Sequence, residues 1–375
     1  MAGELNVPRM RPDLPYWLAL LRCTDFGPAR MKRLADGFPS MREAFLASVA
    51  DLVAAGIEPH VAEKFVALRG TLEPEREAER LRETGMRAIT RLDDDYPASL
   101  ATIHDPPPVL FVRGALPAAE QPCVAVVGSR HATPYGQEAV RELVGPLARA
   151  GVSIVSGLAY GIDAHAHRAA LDAGGHTVAV PGSGVDAASI YPVGNRALAD
   201  RILAAGGAVL SEFPPGTPVF PANFPRRNRV IAGLARLTLV IEAAAGSGSL
   251  ITARFALEHG RDVGAVPGPF HAPLSSGCHR LIREGALCVT APEDIFDALS
   301  LAPPPVSSQP ALPIYQPADP DEAAVLTLLH PREPLHVDDL VERAELPAAR
   351  VSAVLSTLEL AGAARAVGGL CYVRN

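Results

Sequence analysis

Lysine is nearly missing from this sequence: only Lys32 and Lys64 occur among 34 basic residues, and none follows residue 64. GC-rich coding accounts for part of this, but the chemical consequence is the same. A Schiff-base lysine and the lysine of a Gly-x-x-x-x-Gly-Lys phosphate loop are both excluded from the rest of the chain. Cysteine is sparse too. Cys23, Cys123, Cys278, Cys288 and Cys371 form neither metal-ligand pairs nor a disulfide framework, so no metal is expected and a reducing compartment is. No apolar run is long enough to span a membrane, and the opening MAGELNVPRMRPDLP has no apolar leader core. A cytoplasmic protein without membrane association is therefore expected. The net charge of −7 argues against a uniformly basic surface.

What is present is an ordinary globular balance, 48% hydrophobic and 20% charged over 375 residues, enough for two or three domains. Residues 10–72 read as short helices around Gly-Pro turns, a small helix-hairpin-helix or SAM-like module. Such a unit either touches phosphates through hairpin amides or simply packs.

Residues 76–298 alternate short β-branched runs with amphipathic stretches. The runs are Val124–Val127, Ser153–Val155, Thr177–Val180, Ala208–Leu210, Leu237–Ile241 and Val263–Val266. Nearly continuous apolar strands separated by helices predict an α/β core, a Rossmann-like doubly wound parallel sheet. A helix at Arg76–Glu83 and a run at Val109–Val112 extend it. Seven prolines in residues 301–320 predict a semi-extended linker. Residues 321–375 read as three helices and a Gly368-Gly369 hairpin, a winged helix. Its third helix carries one arginine, Arg350, and an apolar stripe of Val351, Val354, Leu355 and Leu358 suited to packing or to a protein partner.

The chemistry sits in the turns that leave the strands. Gly128-Ser129-Arg130 comes after the first strand, Ser156-Gly157 with Gly161 and Asp163 after the second, and Pro181-Gly182-Ser183-Gly184 after the third. Ser211-Glu212 comes after the fourth, and Glu242 with Ser247-Gly248-Ser249 after the fifth. In a parallel sheet these turns share the carboxyl edge, where glycine lets backbone N–H groups approach an anion. A phosphate-bearing ligand is expected. Phe224, Arg226, Arg227, Asn228 and Arg229, with Arg236 further on, add cations beside an aromatic ring, which suits phosphates with a base stacked alongside. An internal ion-pair network with Asp163, Glu212 and Glu242 is the competing use of the same arginines. The dinucleotide fingerprint fails at its third glycine, so no cofactor is expected. Ser156, Asp163 and His165, or Cys278 and His279, do not form a persuasive catalytic set, and no catalytic residue is assigned.

Taken together the motifs resemble the DNA-processing protein A (DprA, or Smf) family. They are Gly128-Ser129-Arg130, Ser156-Gly157-x-Ala159-x-Gly161-Ile162-Asp163, Tyr191-Pro192-x-x-Asn195 and Phe224-Pro225-x-Arg227-Asn228-Arg229. Ser247-Gly248-Ser249-Leu250-Ile251-Thr252 and Ala265-Val266-Pro267-Gly268 complete the set. The resemblance implies a non-enzymatic protein of natural transformation that binds and protects single-stranded DNA, loads RecA recombinase and forms a homodimer. It implies that Arg130 and the Arg227-Asn228-Arg229 group face the DNA. The family's Gly-x-Asn is here Gly277-Cys278-His279, and basic residues are absent from Pro218–Ala222. The alternative is a nucleotide-processing enzyme of the lysine-decarboxylase-like phosphoribohydrolase type. Its loop is represented here by Pro181-Gly182-Ser183-Gly184, without the threonine and glutamate its catalysis uses. A pure interaction scaffold is a third possibility.

Overall fold

A computed structural model describes residues 11–302 and 315–374, except Thr24 and Arg332. The greater part of the expected linker, residues 303–314, lies outside the described residues. The chain divides into two compact units, Met1–Pro305 and Val306–Asn375.

The larger unit is built on one nine-stranded sheet. Its strands are β1 (Arg87–Thr90), β2 (Val109–Gly114), β3 (Cys123–Gly128), β4 (Ser153–Ser156), β5 (Thr177–Ala179), β6 (Ala208–Ser211), β7 (Leu237–Ile241), β8 (Asp262–Ala265) and β9 (Leu287–Cys288). The order is β1-β2-β6-β5-β4-β3-β7-β8-β9. From β6 to β9 every neighbouring pair is parallel, while β2 runs antiparallel to β6 and β1 antiparallel to β2. The sheet is thus mixed rather than wholly parallel, because the β1–β2 hairpin caps one margin. The chain moves outward from β3 through β4, β5 and β6, then returns to the other side of β3 with β7. That reversal opens a crevice beyond the carboxyl ends of β3 and β7, where doubly wound sheets bind ligands.

Alternation along the strands explains why both faces are covered. In β3, Val124 and Val126 join one buried cluster with Val140, Val144 and Leu147 of helix Pro134–Arg149, while Ala125 and Val127 join another with Val230, Ile231 and Ala253. In β7, Leu237, Leu239 and Ile241 take the first side and Val240 the second. Period-two alternation with apolar residues on both sides is what a sandwiched strand requires. Each such Val or Leu contributes roughly 1.5–3 kcal/mol by burial. The N-terminal helices, Leu14–Leu21 through Pro74–Glu83, bury Trp17, Met31, Leu34 and Phe65 in a cluster continuous with Phe111 and Val209 of the sheet.

The smaller unit has helices Pro320–Leu328, Val337–Ala344 and Ala348–Leu360 with a sheet of β10 (Leu335–His336), β11 (Ala364–Gly368) and β12 (Cys371–Arg374). The order β10-β12-β11 gives the winged-helix pattern. Of the two uses expected for the apolar stripe, packing is the one found. Val351, Val354, Leu355 and Leu358 are buried in this unit's own core with Val325, Leu326 and Leu340, so they are not open to a partner.

Candidate nucleic-acid interface

The crevice at the carboxyl edge holds a cavity of ≈ 520 Å³. Its wall takes Gly128 and Arg130 from the β3 turn, Ala159 and Asp163 from the β4 turn, and Ser247, Gly248 and Ser249 from the β7 turn. Phe224, Arg227 and Asn228 enter from helix Asn223–Leu234. The structure therefore brings together eight of the fourteen positions singled out from sequence. Ser129, Ser156, Gly157, Gly161, Arg226 and Arg229 are not on the wall, and each has another place.

Ser156 is fully buried and its hydroxyl donates to the Val126 carbonyl at 2.6 Å, locking β4 to β3. Gly157 fits where a Cβ would lie 2.5 Å from the Arg227 guanidinium and 2.6 Å from the Asp163 carboxylate. Gly161 has φ +73°, and a Cβ there would meet the Ser129 carbonyl at 2.2 Å. Neither position accommodates a side chain. The Ser129 carbonyl instead accepts from Ile162 N at 3.0 Å, tying the β3 turn to the start of helix Ile162–Asp172.

The arginines divide sharply. Arg227 is buried; its guanidinium donates to the carbonyls of Gly157 and Val180, and its Nε donates to Asn228 Oδ1 at 3.1 Å. Burial pulls its pKa down to about 10, against the opposing charge of Asp163. Arg229 is buried as well and pairs with Glu212 at 2.5 Å and with Asp105 at 3.2 Å. Both were expected at the DNA. Their geometry makes them part of the scaffold, because the two guanidinium groups are buried and engaged by carbonyl or carboxylate oxygen. Arg236 is exposed but precedes β7, at the opposite, amino edge of the sheet. Arg226, by contrast, is half-exposed, with its guanidinium 5.4 Å from the Phe213 ring and 3.7 Å from Glu212. Arg130 is exposed and lies 5.4 Å from the centre of the Phe224 ring.

The three carboxylates singled out from sequence at this edge are turned to internal work. Asp163 accepts from Gly157 N at 3.1 Å and Ala159 N at 3.3 Å; burial pushes its carboxyl up, and Arg227 opposes that. Glu212 is pushed up by burial and held by Arg229 and Arg226. Glu242 accepts from Thr133 N at 2.9 Å and from the Thr133 hydroxyl, and Thr133 in turn caps helix Pro134–Arg149 through Gly136 N at 3.2 Å. An acidic chain thereby keeps its cleft open to an anion. The remaining polar lining is neutral: Ser247 and Ser249 hydroxyls lie 2.7 Å apart at the start of helix Ser249–Glu258, whose N-terminus favours negative charge.

Of the weaker catalytic candidates, Cys278 and His279 turn to different partners. Cys278 is buried with its thiol toward the Val240 carbonyl at 3.7 Å, while His279 Nε2 is 2.9 Å from the Gly268 carbonyl. Among the described residues no His/Cys/Asp/Glu group could hold a metal, and no helix is long and apolar enough to cross a membrane.

Residues 87–300 match the family described as DNA recombination-mediator protein A, more than half of the chain. The chain belongs to that family. Residues 295–369 match the DprA winged helix domain. Protein Smf of Escherichia coli K12 is 44% identical over 290 residues, covering 75% of this chain and 77% of that protein. DNA processing protein DprA of Streptococcus pneumoniae is 49% identical over 205 residues, covering 55% and 71%. An X-ray structure of DNA processing protein A from Streptococcus pneumoniae superposes with TM-score 0.66 at 36% identity, covering 76% of this chain and 97% of that one. A structure concerned with the single-stranded DNA binding mode of DNA processing protein A from Helicobacter pylori gives TM-score 0.51 at 27% identity, covering 57% and 95%. In this recombination-mediator family protein the cleft also takes Ile231, Ile251 and Thr252 from two helices. Helical spacing four residues beyond Arg227 and three beyond Gly248 was the available signal for the first two.

Proposed function

We propose that this chain binds single-stranded DNA along the carboxyl edge of its core sheet and acts on it without covalent chemistry. The observation that carries the reading is Arg130 stacked on Phe224 at the mouth of a cleft whose lining carboxylate, Asp163, is turned to backbone amides. A guanidinium over an aromatic ring beside glycine- and serine-rich turns offers a phosphate a cation and a base a stacking face. The relatives support it: one is named a DNA processing protein, and the Helicobacter pylori structure concerns single-strand binding. Gly128, Arg130, Phe224, Asn228, Ser247, Gly248 and Ser249 meet the strand and Arg226 reaches it from the rim. Ser129, Ser156, Gly157, Gly161, Arg227 and Arg229 hold those turns in place. On the same reading the protein works in the cytoplasm as a homodimer, protects incoming strands during transformation and hands them to RecA recombinase.

Fluorescence anisotropy with a labelled single strand, the matching duplex and free nucleotides tests this directly. Preference for the single strand is expected, with affinity falling as salt rises. About four phosphate contacts give a log–log slope of roughly −3. Equal affinity for blunt duplex, or indifference to salt, overturns the reading. Release of free base or phosphate from nucleoside monophosphates, lost in Glu212→Gln, would establish the phosphoribohydrolase alternative instead.

A further inference from the structure

Five aromatic side chains stand exposed among the described residues: Tyr135, Tyr160, Tyr191, Phe220 and Phe270, the last at 80%. All five lie in the turns or helix starts that leave the carboxyl ends of the parallel strands. None lies on the N-terminal helices or in the winged-helix unit. Large rings are ordinarily buried on average, and exposure unconnected with a ligand would scatter them over the surface.

They are also ordered. Phe220 follows β6, Tyr191 follows β5, Tyr160 follows β4, Tyr135 follows β3 and Phe270 follows β8. That is the order in which these strands stand side by side, with only β7 contributing no ring. Across that gap the Tyr135 hydroxyl donates to the Pro267 carbonyl, joining the β3 and β8 turns. Tyr191 lies 6.1 Å from Phe224, ring centre to ring centre, which connects the series to the cleft. Tyr160 rests against Gly194, where a Cβ would stand 2.9 Å from its hydroxyl. With strands about 4.8 Å apart, five steps carry the series over roughly 24 Å.

We infer that these rings form a base-stacking track, so that successive nucleobases of a single strand lie on them while the phosphates follow the glycine turns and Arg130. The inference rests on the single-strand reading above and extends it from one cleft to the whole edge. A nucleic-acid strand fits the track better than a protein surface does, because the rings are spaced out along a phosphate-type edge rather than gathered into one apolar patch. Stacking on rings is indifferent to base identity, so the track supplies affinity without sequence preference.

The test compares the full chain with the triple variant Tyr160→Leu, Tyr191→Leu, Phe270→Leu, which keeps apolar bulk and removes the rings. The probes are a thymidine strand of about 20 nucleotides and an abasic strand of equal length and charge. The parent should favour the thymidine strand by tenfold or more. The variant should lose about tenfold on that strand, keep its affinity for the abasic one, and keep the salt slope. Tyr160→Phe with Tyr191→Phe should bind like the parent. Unchanged thymidine binding by the variant, or equal loss on both strands, overturns the track. A change in self-association without a change in DNA binding also overturns it, in favour of a protein interface. Arg130→Ala separates the two levels: if it weakens both probes while the triple variant does nothing, the cleft stands and the track falls. If neither substitution matters, both fall.

Discussion

The carboxyl edge of the core sheet and the third helix of the winged-helix unit each carry arginine where DNA contact was conceivable, and they hold it in different ways. At the edge, Arg227 and Arg229 are buried, and Arg130 is left exposed beside Phe224. On the helix, exposed Arg350 is paired with Asp319 at 2.5 Å and Asp321 at 2.6 Å, and the apolar stripe beneath it is spent on the unit's own core. Among the described residues the internal acids at the edge engage Arg227, Arg229 and, at 3.7 Å, the half-exposed Arg226, and spare Arg130. Surface acids on the winged helix neutralise the one arginine its third helix has. On the proposed reading, what separates a DNA-facing surface from a merely charged one is where the carboxylates are, more than how many arginines there are.

The sharpest way to break this comparison is Arg227→Ala. Removing a buried, hydrogen-bonded cation leaves Asp163 uncompensated and should lower folding stability by roughly 3–5 kcal/mol in urea titration. A variant that stays as stable as the parent but fails to bind DNA would make Arg227 a contact after all. Next comes Phe224→Ala, which should leave the fold intact and weaken single-strand binding by about 1–3 kcal/mol. Arg130→Ala alongside it should reduce the salt slope by about 0.7, one phosphate contact.

Acid should act on the core in a definite window. Burial lowers the pKa of His167 to about 3 in the folded protein, where its Nδ1 meets the Thr177 hydroxyl at 2.7 Å. The unfolded chain takes up that proton near pH 6.5, so stability present above this value is lost as pH falls towards 3. Between pH 7 and pH 5 the loss from this group is about 2 kcal/mol. His167→Gln should flatten the pH dependence of the core's melting transition over that range; an unaltered profile would remove His167 as the cause.

The smallest effects belong to the winged-helix unit. Ending the chain at Ala302 should leave single-strand affinity within a few-fold, with circular dichroism confirming the fold. Loss of most binding would reverse the ranking of the two regions. Asp319→Asn with Asp321→Asn frees Arg350 and should leave the unit's thermal stability nearly unchanged, as exposed ion pairs usually do. A gain in DNA affinity in that variant would show that paired acids alone keep this helix off DNA.

The six central strands were legible because each is a short β-branched run bounded by glycine, and the carboxyl edge followed from their alternation with helices. The margins were not. β1 and β9 are four and two residues long and owe their conformation to the neighbour they pair with, a long-range fact absent from local pattern. The motif Phe224–Arg229 was visible as chemistry, but adjacent arginines on a helix point to different sides, and only the packed partners decide which are buried. The exposed rings are not legible in the sequence for a related reason. An aromatic in a turn reads as core until the structure shows nothing covering it.

Two non-glycine residues of this edge, Leu158 at φ 59° in the turn after β4 and Glu242 at φ 55° immediately after β7, sit in the left-handed region. Side chains adopt that region only when their surroundings impose it, here through Asn195 on the Leu158 carbonyl at 2.8 Å and Thr133 on Glu242. The conformational entropy of these turns is therefore spent during folding, before any strand arrives. Association should accordingly be limited by diffusion and charge steering rather than by loop rearrangement, with a single kinetic phase whose rate rises in proportion to protein concentration.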